Sequence, residues 1–434
     1  MRTTFAALRI RNYRFFAEGS LVSNVGTWMQ RVAQDWLILV LTGSAGALGL
    51  TTGLQFLPIV LFSPIAGVVA DRYAKRRVLA VTQLAMGATA GLLGLLAVTG
   101  VVAAWHIYVL AFVFGTAAAF DMPARQAFVN EMVTRDQLPN AIGLNSASFN
   151  LARMIGPALA GLLIAWMGSG VAATGWVILL NAASYAAVLW SLSRMRVDEL
   201  TPSPPLPRAK GQLRDGFRYV RGRPDILLVL AVVFCAGTFG LNFQMTTALM
   251  ATEVYGKGAG EYGVLGSILA VGSLGGSLLA ARRETSQLRL VIAAGIAFGA
   301  VELVAGLMPS YITFAAILPV CGFFALTMIT AANAYVQMAA APEMRGRVMA
   351  LYLAIFMGGT PVGAPLLGVL AETFGARWTL VGGGAFTAGG TIAAAVLFAR
   401  RYGVTVEPHL LPRPHVVVLT RSPHELVGEA VAAA

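Results

Sequence analysis

Gly67-Val-Val-Ala-Asp71-Arg72-Tyr-Ala-Lys75-Arg76-Arg77 is the stretch on which the fold turns. It packs one acid and several basic residues between two long apolar runs, 48–70 and 78–99. A hydrocarbon core of about 30 Å takes about 20 residues of helix, so each flanking run is long enough to cross a bilayer. The same alternation continues in both directions. Reading apolar runs against polar breaks predicts twelve spans, near 15–41, 48–70, 78–99, 104–124, 141–167, 172–193, 226–251, 261–281, 288–307, 311–338, 347–373 and 377–399. Composition agrees: 57% of the 434 residues are apolar and 12% are charged, against roughly 25% charged in soluble domains. An ordinary cytosolic enzyme is excluded. Cys235 and Cys321 both lie in apolar runs, so no disulfide framework is expected.

The basic residues orient the spans. If the N-terminus is cytoplasmic, all but four of the 31 Lys and Arg residues fall on inside segments. The exceptions are Lys257 and Arg377 in outside loops, and Arg31 and Arg153 within spans. That asymmetry satisfies the positive-inside rule and predicts both termini in the cytoplasm. The net charge of +12 then faces anionic lipid headgroups rather than nucleic acid. The N-terminus is basic, but its first apolar run is too long and too polar for a secretory signal. Arginine far outnumbers lysine and alanine and glycine abound, which points to a GC-rich bacterial source and its cytoplasmic (inner) membrane.

The spans divide into a first half, 1–193, and a second, 226–400, joined by a cytoplasmic linker, 194–225. The linker holds Pro202, Pro204, Pro205 and Pro207, then Leu213, Phe217 and Val220 at helical spacing opposite Arg214, Arg218 and Arg221. This reads as an amphipathic helix on the membrane surface, or else as a solvated basic loop. Residues 401–434 form a tail whose prolines and single apolar run, 416–419, predict a short extension without a folded module. The halves echo each other. Gly46-Ala-Leu-Gly49 opens span two and Gly260-Glu-Tyr-Gly263 opens span eight. Gly156-Pro157-Ala-Leu-Ala-Gly161 lies in span five, and Gly363-Ala-Pro365-Leu-Leu-Gly368 in span eleven. Small residues let helices approach closely in lipid, and paired halves place a binding site between them near the midplane.

A Gly-x-x-x-Asp-Arg loop with a basic triplet, set after the second of twelve spans, resembles the signature loop of the major facilitator superfamily. The resemblance covers roughly residues 10–400 and implies an all-α membrane fold of two six-helix pseudo-repeats. Ala74 replaces a usual glycine of the motif, and the matching loop after span eight, with Arg282, Arg283 and Arg289, lacks the aspartate. The resemblance implies a gating loop of Gly67, Asp71, Arg72 and Arg76. Asp71 would cap a helix across the halves, with Asp121 and Arg125, at i and i+4, completing a charge cluster. The plainer reading is that the basic residues only fix topology. Gly156, Pro157 and Gly161 are similar to the antiporter motif of proton-coupled exporters, with Ala160 in place of a glycine; a packing kink alone is the alternative. The opening 11–36, with Arg11-Asn-Tyr-Arg-Phe-Phe and Trp28-Met-Gln-Arg31, looks like the branch that includes enterobactin and macrolide exporters.

Ionisable groups within spans are costly and functional by default. Ser20, Asn24, Thr27, Arg31 and Asp35 form one polar stripe on span one; Ser146, Asn150 and Arg153 form another on span five. Asp35 is the expected proton carrier, with Arg31 and Arg153 beside it; a permanent Arg31–Asp35 pair is the structural alternative. Asn24, Trp28, Asn150, Asn242, Phe243 and Asn333 are the expected cavity residues, their amide and aromatic character suiting a bulky amphipathic compound. Glu302 in span nine receives no role. There is no Walker loop, and Gly258-Ala-Gly260-Glu-Tyr-Gly263 has no preceding strand, so no nucleotide site is expected. Neither metal nor cofactor is expected, and no catalytic set stands out. The expectation is a monomeric secondary transporter in a lipid bilayer, a proton antiporter exporting a small molecule by alternating access. An importer or uniporter, and a non-transporting sensor or scaffold, are the competing readings.

Overall fold

The computed structural model describes residues 5–201, 212–281, 287–402, 405–409 and 415–419. Pro202, Pro204, Pro205, Pro207, Arg282, Arg283, Pro412 and Pro414 lie outside them. The chain is a helical bundle because only structures that satisfy their own backbone hydrogen bonds persist in hydrocarbon. The first half comprises α1 (Arg11–Thr42), α2 (Ala45–Arg72), α3 (Lys75–Val98), α4 (Ala104–Met132), α5 (Leu138–Trp166) and α6 (Val171–Arg194). The linker helix is α7 (Gln212–Arg221). The second half holds α8 (Pro224–Cys235), α9 (Phe243–Leu249), α10 (Ala259–Ala281), α11 (Leu288–Gly306), α12 (Tyr311–Ala339), α13 (Arg345–Gly358), α14 (Thr360–Phe374) and α15 (Arg377–Tyr402).

Among the described residues, eleven spans are long and apolar enough to cross a membrane. The first expected span is not among them. It is α1, an unbroken helix of 32 residues, about 48 Å at 1.5 Å per residue, and its polar stripe keeps its hydropathy down. Sequence chemistry sets the turns. Gly43 closes α1 in the left-handed region, φ 61°, its N–H bonded to Leu39 O; Ser44 then caps α2 by accepting from Ala47 N.

Two expected spans are interrupted. The seventh runs as α8, a π-helical turn at Ala236–Gly240, α9, and a second π turn at Met250–Val254. The eleventh breaks between α13 and α14, where Gly358 and Gly359 precede Thr360-Pro361. On α7, Val220 is buried but Phe217 is 58% exposed. This helix leans on α13 and the turn before it: Arg347 Nη1 lies 3.4 Å from Asp215 Oδ2, and Tyr219 Oη accepts from Ala341 N at 3.1 Å. The tail departs from expectation. Thr405–His409 (β1) pairs antiparallel with His415–Leu419 (β2), Thr405 opposite Leu419, because the valine run 416–418 favours a strand once it has a partner.

The turns at 43–44, 99–103, 167–170, 255–258, 307–310 and 375–376 share the charge-poor end of the bundle; the linker and the loop after α2 share the basic end. The halves meet at the charge-poor end along two crossed seams. On one, α2 lies against α14: a side-chain carbon on Gly49 would come within 2.4 Å of Ala364 O. There too, Glu372 Oε1 accepts from Ser44 Oγ at 2.5 Å and from Gly46 N at 3.0 Å. On the other, α5 lies against α10: Gly161 and Gly263 are flush, and Ser267 Oγ accepts from Ala158 N at 3.2 Å. The glycine motifs that echo between the halves are therefore the surfaces that close them. Towards the basic end the halves part, and a side chain on Gly143 or Gly346 would meet nothing within 4 Å.

Candidate functional site

Between the halves lies a cavity of about 350 Å³, walled by Trp28, Arg31, Phe56, Arg153, Asn242 and Phe243 among others. Helices α1, α2 and α5 form one side, and the interrupted seventh span with α10 and α12 the other. Of the expected cavity residues, Trp28, Asn242 and Phe243 stand on this wall. Asn24, Asn150 and Asn333 do not. Asn150 is half-buried and donates to Ser146 O at 2.9 Å. Asn333 bonds Gln337 along α12, beside a separate groove.

The stripe on α1 divides its duties as the helix turns. Ser20 accepts from Arg125 Nη1 at 2.9 Å, and Thr27 bonds the Tyr185 hydroxyl at 3.1 Å, so both face the first half. Arg31 faces the cavity, its guanidinium 4.8 Å from the Trp28 ring centre and 5.5 Å from that of Phe56. Arg153 approaches the same Trp28 ring at 5.7 Å. All three distances fall within cation–π range, about 6 Å.

Asp35 is 6% exposed and makes no ion pair with Arg31. It accepts instead from Tyr262 Oη of α10 at 2.9 Å, across the seam between the halves. The permanent Arg31–Asp35 pair is thereby replaced, because helical pitch sends Asp35 to the seam while Arg31 faces the cavity. The sequence gives Tyr262 away only as a polar residue inside the Gly260–Gly263 echo. A hydrogen bond to a charged group contributes about 1.5–3 kcal/mol.

The antiporter-type motif sits where both contacts converge. A side-chain carbon on Gly156 would lie 2.6 Å from Trp28 Cβ, and one on Gly263 would lie 2.3 Å from Pro157 O and 2.9 Å from Gly161 Cα. Thus α5 presses on α1 through Gly156 and on α10 through Pro157 and Gly161.

The loop expected to gate the basic side lies at the basic end, where Gly67 and Asp71 are half-buried and Arg72 is exposed. Arg76 Nε donates to Leu192 O at 2.8 Å, tying α3 to α6. Asp121 accepts from Arg125 Nε (2.8 Å), Thr82 Oγ1 (2.9 Å) and Gln83 Nε2 (2.8 Å), so this pair knits α1, α3 and α4. A buried Lys75–Glu131 pair at 2.9 Å adds to it, and sequence reading singled out only the lysine. Glu302 is fully buried in the second half, against Gly240 and Gly383, with neither carboxyl oxygen partnered among the described residues. No group of three or more metal-binding side chains occurs among the described residues.

A family model described as transmembrane secretion effector matches residues 2–417. The chain is 28% identical over 375 residues to the multidrug efflux pump Tap of Mycolicibacterium fortuitum, covering 83% of this chain and 90% of that one. It is 22% identical over 368 residues to the staphyloferrin A transporter of Staphylococcus aureus, with the same coverage. Its fold is similar to an inward-facing, occupied bacterial homologue of the human lysosomal transporter Spinster, with a TM-score of 0.71, 15% identity, and 90% and 97% of the two chains covered. The seams, the cavity between two helical halves and these likenesses agree: the chain is a transporter of the major facilitator superfamily, in its transmembrane secretion effector family.

Proposed function

We propose that this protein is a proton-coupled antiporter that exports a small amphipathic molecule, drug-like or siderophore-like, across a bacterial cytoplasmic membrane with both termini inside. The relatives named above supply the export reading. The observation that carries the coupling is the Asp35–Tyr262 bond, a buried carboxyl joined across the two bodies that must separate.

With the basic end cytoplasmic, the structure corresponds to the inward-facing state. Cargo enters the cavity from inside. Loosening the Asp35–Tyr262 contact lets the charge-poor seams open and cargo leave. Asp35, now hydrated, takes a proton from outside, and only the neutral acid returns at low cost to its buried position. Release of that proton to the cytoplasm restores the carboxylate that Tyr262 holds. Asp71 and Arg72 act at the other end, latching the basic side when the seams are open, with one chain sufficing for the cycle.

The test is efflux of a panel of drugs, dyes and siderophores from cells lacking their own exporters, each with and without an uncoupler and beside Asp35→Asn. Uncoupler-sensitive efflux that the variant loses is the expected result. Efflux indifferent to both would make Asp35 structural and the movement facilitated.

A further inference from the structure

We propose that the cargo is an organic anion, a carboxylate on an aromatic or otherwise apolar body, with its head between Arg31 and Arg153 and its body against Trp28, Phe56 and Phe243. This rests on the central cavity being the cargo site and names the chemistry that site selects.

Two guanidinium groups line this cavity, and neither forms an ion pair within the described residues. Arg31 Nε is buried and has no hydrogen-bond partner. Trp28 lies within cation–π distance of both; that contact offsets part of their desolvation but satisfies none of their N–H groups. Each arginine keeps its charge and presents a planar fork of donors, which a carboxylate meets with two parallel bonds. The nearest acid, Asp35, is committed to Tyr262 and is absent from the cavity wall. A cationic drug entering here would meet two like charges and no carboxylate.

The rest of the wall fits the same ligand. Asn242 Oδ1 and Gln244 Nε2 are buried without partners and offer neutral hydrogen bonds, while the remaining surface is mostly aromatic and aliphatic. A volume of about 350 Å³ holds one molecule of modest size. An anion on Arg31, one helical turn from Asp35, also repels that carboxylate and loosens its bond to Tyr262. Cargo binding is thereby linked to opening of the seam.

The test is equilibrium binding by calorimetry to the full-length protein in lipid nanodiscs, using naphthylacetate, naphthylacetamide and naphthylethylamine as matched probes. The acid is expected to bind at least about tenfold tighter than the amide, and the amine weakest. Arg31→Gln and Arg153→Gln should each lower affinity for the acid about tenfold while the amide stays within about twofold, which shows an intact cavity. Arg153→Lys, which keeps the charge but not the fork, should recover part of the loss. An amine bound as tightly as the acid, acid affinity that survives both Gln variants, or no binding of any probe would overturn the proposal. Binding at equilibrium needs no proton gradient, so failure here leaves the Asp35 coupling standing, and failure of coupling leaves this result standing.

Discussion

Asp35 and Glu302 are both carboxyl side chains buried on membrane-spanning helices, yet they occupy opposite kinds of place. Asp35 lies on the seam between the halves and is bonded by Tyr262 from the other half. Glu302 is sealed inside the second half, packed by α15 and the π turn of the seventh span, with Thr387 Oγ1 near the same face of Gly240. An acid whose partner belongs to a body that moves away changes its surroundings in every transport cycle. An acid enclosed by one rigid bundle does not. In the proposed cycle the coupling residue is therefore marked by burial across a moving interface and not by burial alone.

The largest effect is expected at Glu302. Glu302→Lys places a cation in a site with no acid, and an uncompensated buried charge costs about 3–5 kcal/mol. Folded protein recovered from membranes should fall sharply, as size-exclusion profiles will report; normal recovery would mean the site is open to water. Next in size is Asp35→Asn. Folding should persist while proton-driven efflux drops at least about tenfold, equivalent to about 1.4 kcal/mol.

Tyr262→Phe is milder. It removes a bond of about 1.5–3 kcal/mol and should shift the population towards an open charge-poor end by about tenfold or more. Spin labels at the exposed positions Val101 and Ile312, in a chain lacking Cys235 and Cys321, would show longer distances; an unchanged distribution would remove Tyr262 from the gate. The smallest effect belongs to Glu302→Gln, a neutral near-isostere. It should leave efflux within about twofold, and a large loss would promote Glu302 to the same role as Asp35.

Much of this molecule is legible along the chain because lipid imposes long apolar helices, and long periodic segments announce themselves. The spans, the charge asymmetry and the glycine echoes are visible as strings of residues. The partnership of those echoes is not. That Gly49 meets Ala364, and Gly161 meets Gly263, depends on how two bundles cross. Asp35 and Arg31 look like an i,i+4 pair in sequence, and only the tertiary seam supplies Tyr262 as the stronger partner. The interruption of the seventh span is equally hidden, since its residues are as apolar as those of an unbroken helix. Asn24, Asn150 and Asn333 show the opposite failure: an amide in a span has many neighbours to bond, and its presence does not point it at the cavity.

Exchange of cargo for protons through Asp35 is read in proteoliposomes holding a pH-sensitive dye, with a gradient of the compound best exported by cells. Cargo moving down its gradient should drive protons the opposite way in the native protein and move none in Asp35→Asn. Cargo movement with no pH change, or protons travelling with the cargo, would rule out antiport through Asp35.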